Sequence, residues 1–115
     1  MKKNKTDVFA AIGDPTRRKI LFLLAAGALN VHVLAGNFAI SRPAISKHVK
    51  ALQEAGLVSV EERGREHFCS LDINGFNEIR DWLDFYDRFW KNNLNKLGKL
   101  LNERSLLKNK KNKKP

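Results

Sequence analysis

Ser41-Arg42-Pro43-Ala44-Ile45-Ser46-Lys47-His48-Val49-Lys50-Ala51-Leu52 is the stretch on which the reading of this chain turns. Ser41 can cap a helix by accepting a hydrogen bond from a first-turn amide. Pro43 is tolerated there because first-turn amides have no intrahelical partner to lose. Ile45, Val49 and Leu52 are spaced i, i+4 and i+7, so they share one apolar face. The opposite face collects Pro43, Ser46, Lys47 and Lys50, with Arg42 on one flank and Ala44 and His48 on the other. A short basic helix with small residues on its outer face suits a DNA major groove, which is roughly 12 Å wide. Arg, Lys and Ser can reach base edges or phosphates there.

The segments before this helix read as its support. Val8, Phe9 and Ile12 give a short first helix from Asp7 that stops near Gly13. Asp14 then caps a second helix, Pro15 takes its first position, and Ile20, Leu21, Leu23 and Leu24 form its buried side until Gly27. Asn30 caps a short third helix through Val31, Leu34 and Phe38, with Gly36 weakening its interior. Ala39-Ile40 makes the turn into Ser41, which gives two short helices joined by a turn of three or four residues. That is a helix-turn-helix arrangement whose second helix reads DNA, although helix pairs of this kind also occur in proteins that bind none.

The segments after it read as a wing and a long helix. Gly56 ends the reading helix, and Leu57-Val58-Ser59-Val60-Glu61-Glu62 alternates as a strand with Val58 and Val60 on one face. Arg63-Gly64-Arg65-Glu66 is a turn, with Gly64 available for positive φ, and His67-Phe68-Cys69-Ser70-Leu71 returns. Arg63 and Arg65 at the tip are placed to touch phosphates or a minor groove, unless the tip is an ordinary solvated turn. From about Gly75 to Asn102 an apolar stripe runs through Ile79, Leu83, Tyr86, Trp90, Leu94, Leu97 and Leu101, with Trp82, Phe85 and Phe89 beside it. Such a helix measures roughly 42 Å, more than one small domain covers. A second subunit packed on Phe85, Tyr86, Phe89, Trp90, Leu94 and Leu97 accounts for the surplus. The aromatic cluster can alternatively line a ligand pocket, but helical aromatic stripes more often pack as core.

Composition bounds the function class. A chain of 115 residues forms one domain, here drawn over residues 1–107, and can bury a modest core. The net charge of +10 predicts an anionic partner. Half of it comes from five lysines between Lys108 and Pro115, read as a disordered tail, and residues 1–6 read as frayed. Cys69 is the only cysteine, which excludes an intrachain disulfide and fits a reducing cytoplasm. No apolar run approaches the length of a membrane span, and the basic start lacks the apolar segment of a signal peptide. No Gly-rich phosphate loop, nucleophile–base pair or metal cluster supports an enzyme, so no cofactor is expected.

Taken together, several strings in order resemble ArsR-type winged-helix repressors. Asp14-Pro15-Thr16-Arg17-Arg18-Lys19-Ile20-Leu21 is similar to the segment that opens their second helix. Ser41 to Leu52, followed by Glu54-Ala55-Gly56-Leu57-Val58, resembles their recognition helix and the entry to their wing. Trp82-Leu83-Asp84-Phe85-Tyr86 with Phe89-Trp90 resembles the C-terminal helix of a non-metal branch. The resemblance spans roughly residues 7 to 102. It implies a mainly α fold with a small β-hairpin, and a homodimeric cytoplasmic repressor of double-stranded DNA, associated with the nucleoid when bound.

By that likeness Ser41, Arg42, Ser46 and Lys47 are the foremost groove contacts, with Pro43 and Lys50 on the same face. Thr16 and Arg17 are candidates for phosphate contact or local packing. The first and last helices, including Val8 and Phe9, form the dimer. Many members carry glutamine where Arg42 stands, and arginine pairs two-pronged with guanine. Metal-sensing members carry a Cys-x-Cys pair where this chain has Asn30 and His32, so no metal site is expected. His32, His48 and His67 lie on different elements and read as surface or packing residues. The competing reading is a winged-helix interaction module for an acidic protein; the effector is left open.

Overall fold

The computed structural model describes residues 7–112, with side chains through residue 104. Residues 1–6, expected from the sequence to fray, and the last three residues of the basic tail lie outside the described residues. The elements run α1 (Val8–Ala11), α2 (Pro15–Leu24), β1 (Leu29–Asn30), α3 (Val31–Ala35), α4 (Arg42–Glu54), β2 (Val58–Arg63) and β3 (Glu66–Leu71). A 3-10 turn, Ile73–Phe76, then leads into α5 (Asn77–Asn112). The described residues form two compact units that divide between Ile79 and Arg80, with α1 to α4 and the sheet in the first and α5 from Arg80 onward in the second.

Helices α1 to α4 each begin with a side-chain cap. Asp7 Oδ2 accepts from the Ala10 amide at 3.1 Å, and Asp14 Oδ2 from the Arg17 amide at 3.0 Å. Asn30 Oδ1 accepts from the His32 amide at 2.7 Å, and Ser41 Oγ from the Ala44 amide at 3.2 Å. These side chains satisfy amides that a helix leaves without internal partners.

Helix α4 stops in a Schellman arrangement. Gly56 takes φ 82°, the Gly56 amide donates to the Gln53 carbonyl at 3.0 Å, and the Leu57 amide donates to the Leu52 carbonyl at 3.0 Å. Only glycine adopts that φ without a steric cost, so Gly56 both ends the reading helix and aims the chain into β2.

The sheet holds more than the expected hairpin. Its order is β1-β3-β2, with Leu29 opposite Cys69 and Asn30 opposite Phe68. The two-residue β1 is too short to leave an alternating pattern in the sequence. In the hairpin Val58 pairs with Leu71, Val60 with Cys69 and Arg63 with Glu66, and Gly64 at the tip takes φ 63°.

The core of the winged unit gathers Ala11, Ile20, Leu24, Leu34, Ile45, Val49, Leu52, Leu57, Val58 and Cys69. Four helices and the sheet thus bury one common apolar centre, and α4 contributes the same three residues that its spacing singled out. Val8 also belongs to this core, at 6% exposure. That corrects its assignment to a dimer surface: Val8 faces inward at the first turn of α1, and its side chain is taken up by its own subunit. Phe9, also assigned to the dimer surface, is half-buried and packs against the same core.

Two boundaries differ from the sequence reading. Helix α3 ends at Ala35, so residues 36–41 connect it to α4, a longer link than three or four residues. Gly36 caps it with its amide on the Val33 carbonyl. Helix α5 runs to Asn112 rather than ending near Asn102. Beyond 102 no residue before Pro115 opposes a helix, and Leu, Lys, Arg and Glu all favour one. Part of the expected tail, Lys108 to Asn112, therefore lies within α5.

Candidate nucleic-acid interface

Helix α4 offers its solvent side in full. Ser41, Arg42, Pro43, Ser46, Lys47 and Lys50 are all exposed, while Ile45, Val49 and Leu52 are buried beneath them. Among the described residues, no ion pair or side-chain hydrogen bond occupies Arg42, Lys47 or Lys50. Their charges are therefore held out on a rigid, capped helix, ready for an external anion.

A cleft of about 650 Å³ opens beside this face. One wall is Arg42, Ser46, Val49, Lys50 and Gln53 of α4; the other is Val60, Arg65, Glu66 and His67 of the hairpin. Asn30, Val31 and His32 at the β1–α3 junction close it. Arg42, Ser46 and Lys50 are four residues apart in succession, so they stack along one side of the helix. Lys47 stands outside the cleft on the neighbouring strip.

The structure separates the two wing arginines. Arg65 lines the cleft. Arg63 turns back on the hairpin: its guanidinium is 3.1 Å from Glu61 Oε1 and its carbon lies 4.6 Å from the centre of the Phe68 ring. The two cations at the tip thus have different surroundings, and Arg65 is the one turned toward the α4 face.

Thr16 and Arg17 stand half-buried at the start of α2. Arg17 is fully engaged within the fold, through Nε to the Ala11 carbonyl at 2.7 Å and its terminal nitrogens to the Ala10 carbonyl and His48 Nδ1. Of the two roles considered for Arg17, these contacts describe local packing. The amide of Arg17 bonded to Asp14 holds that carboxyl below the usual carboxylate value, against desolvation.

The sequence reading did not place His32, His67 or Gln53 in the interface. Register supplies them: Glu62 pairs with His67, next to the turn, and Asn30 pairs with Phe68, which carries the start of α3 to the same end of the sheet. Only the missed strand β1 makes that juxtaposition visible. Cys69, mid-strand, is fully buried, and burial pushes its thiol up to about 11. Among the described residues no group of three or more His, Cys, Asp and Glu side chains is arranged to hold a metal ion.

In the second unit Phe85, Tyr86, Phe89, Trp90, Leu94 and Leu97 are all about half exposed, between 48% and 60%. Tyr86 receives Trp82 and Phe85 edge-on, with ring centres 5.2 and 4.9 Å away. The groove of about 530 Å³ along Leu83, Tyr86, Phe89 and Trp90 is formed by this helix alone, so it is a surface furrow and not an enclosed pocket.

Residues 14–60 match the model of the bacterial regulatory protein family named for arsR. The transcriptional repressor SdpR of Bacillus subtilis is 39% identical over 77 residues, 67% of this chain and 86% of that protein. The chain belongs to the ArsR family. An ArsR-like transcriptional regulator from Rhodococcus superposes with a TM-score of 0.63 at 33% identity, over 81% of this chain and 88% of the other. At the level of fold alone, a homodimeric winged helix-turn-helix DNA-binding domain from Mycobacterium bovis matches with a TM-score of 0.58 at 22% identity, over 70% and 75% of the two chains. The fold is thus the winged helix-turn-helix, and the chain is a DNA-binding transcriptional regulator of the ArsR family.

Proposed function

We propose that this regulator is a homodimeric repressor that binds an inverted-repeat operator in double-stranded DNA, inserting one α4 per subunit into successive major grooves. The observation that carries the reading is the free basic face of α4: Arg42, Lys47 and Lys50 project from a helix whose other side is locked in the core. Ser41, Pro43 and Ser46 keep that face low enough for close approach to base edges. Arg65 stands across the cleft from Arg42 and Lys50 and supplies the wing's contact to the phosphate backbone. Thr16, near the start of α2, is a further backbone contact.

Dimerisation rests on α5. Its exposed aromatic and leucine residues form a continuous apolar strip on a helix of about 54 Å. An exposed strip of that kind marks an association surface. A second copy of the same helix is its natural complement, because a two-fold pairing matches the two-fold symmetry of an inverted repeat. The homodimeric state of the M. bovis domain and the repressor activity named for SdpR support the same assignment. The reading needs no cofactor or metal, leaves the effector unspecified, and places the protein in the cytoplasm, on the nucleoid when bound.

Selection from a random duplex pool tests it. Enrichment of a short inverted repeat, with affinity that falls steeply as salt rises, is the expected result. Enrichment of no sequence, together with capture of an acidic protein partner, would instead make the winged helix an interaction module.

A further inference from the structure

Helix α1 is only four residues long, and at its end the Ala10 carbonyl accepts from the Gly13 amide at 3.1 Å. The Arg17 guanidinium reaches this same end. Nε donates to the Ala11 carbonyl at 2.7 Å, and a terminal nitrogen donates to the Ala10 carbonyl at 3.3 Å. The remaining terminal nitrogen lies 3.2 Å from Nδ1 of His48, on the flank of α4. Guanidinium nitrogens can only donate, so Nδ1 of His48 accepts and the imidazole proton sits on Nε2. Asp14 Oδ2 caps α2 at the Arg17 amide and lies 3.9 Å from the same Nδ1.

We propose that Arg17 and His48 are positioning residues for DNA reading: the Arg17 fork ties the end of α1 to the flank of α4 and fixes the angle at which α4 presents Ser46 and Lys47. His48 is adjacent to Lys47 and lies between the buried stripe and the exposed face, so a pull on its ring rotates both. The bridge also links α4 to the helix next to the chain's N-terminus, which makes the reading face responsive to how α1 is packed. This inference rests on the DNA-binding reading above. A phosphate contact is the competing role for Arg17, and it makes opposite demands.

A fork reaching three acceptors cannot be replaced by the single ammonium of lysine, whereas a phosphate contact largely can. The test uses the full chain, the inverted-repeat duplex enriched by the wild type, and a scrambled duplex, each across a salt series. Arg17→Lys and Arg17→Ala are both expected to lose about tenfold on the enriched duplex, with the salt slope and scrambled-duplex affinity unchanged. His48→Leu is expected to lose as much, and His48→Asn to recover most of it, because asparagine places an acceptor near Nδ1. Arg17→Ala combined with His48→Leu should cost no more than either alone. Nitrogen-15 NMR of the free protein should show Nδ1 of His48 unprotonated, a readout that does not depend on DNA.

Wild-type affinity in Arg17→Lys, or a salt slope reduced by about one in Arg17→Ala, would overturn the proposal in favour of a phosphate contact. So would His48→Leu binding the enriched duplex as the wild type does. Enrichment of no duplex by the wild type fails the DNA reading and the positioning role with it. A protonated Nδ1, with an enriched duplex in hand, overturns the bridge alone.

Discussion

The carbonyl oxygen of Gly56 occupies the space that a β-carbon on Gly75 would need. The turn that ends α4 and the 3-10 turn after the hairpin are thus in backbone contact, and the Asp72 amide donates to the Leu57 carbonyl at 2.9 Å beside them. Because the obstacle is main chain, it cannot swing aside as a flexible side chain would. Gly75→Ala is expected to destabilise the winged unit by about 1–3 kcal/mol, read from chemical denaturation of the purified protein. A stability equal to the wild type's would show that the two turns separate readily.

The wing arginines should differ in function as they do in surroundings. Arg65→Ala is expected to weaken binding to specific and scrambled duplexes alike and to lower the salt slope by about 1. Arg63→Ala is expected to leave that slope unchanged, since its guanidinium is already held by Glu61 and Phe68. Anisotropy titrations over a salt series measure both. Equal effects of the two substitutions would remove the distinction.

Lys47 tests the reading face itself. Lys47→Ala is expected to weaken operator binding by about 1–3 kcal/mol with an unchanged circular-dichroism spectrum, because the side chain is exposed and makes no internal bond. Unchanged affinity would take Lys47 out of the interface.

For α5, Trp90→Ala is expected to weaken self-association by about 2 kcal/mol, since large aromatics at the middle of an apolar strip dominate association energy. Sedimentation across a dilution series detects it. An association constant matching the wild type's would move the interface off this strip.

Buried Cys69 should be chemically quiet. Its thiol, pushed from an ordinary value of 9.0 up to about 11, stays protonated near neutrality, and the thiolate is the reactive form. Alkylation is expected to be slow in the native protein and fast in denaturant. The raised value also carries a sign for stability. The folded state holds this proton more tightly than the unfolded chain, so the contribution is intact below about pH 9 and is lost as pH rises toward about 11.

What the sequence made legible follows from how local each signal is. Caps at Asp14, Asn30 and Ser41 involve residues two or three apart, and the α4 face needs only helical periodicity, so both could be read directly. Gly56 and Gly64 were legible because a turn of that shape needs positive φ. The cleft was not. It depends on β1 pairing with β3 across about forty residues of sequence, a contact that two residues of strand cannot announce. Val8 was misassigned for a related reason. Apolar spacing shows that a residue is buried, but not whether its own subunit or another covers it. The sequence leaves Arg17 between two roles because the partner that occupies it, His48, is distant in sequence and becomes a neighbour only when α2 and α4 pack.

The central claim is that the α4 face reads a DNA sequence. Fluorescence anisotropy of the purified protein, on DNA from upstream of its own gene and on a scrambled fragment across a salt series, tests it most directly. Binding to the upstream DNA tighter by about 10³ or more, with both affinities falling as salt rises, is the predicted result. Absence of binding to either fragment even at low salt would contradict it.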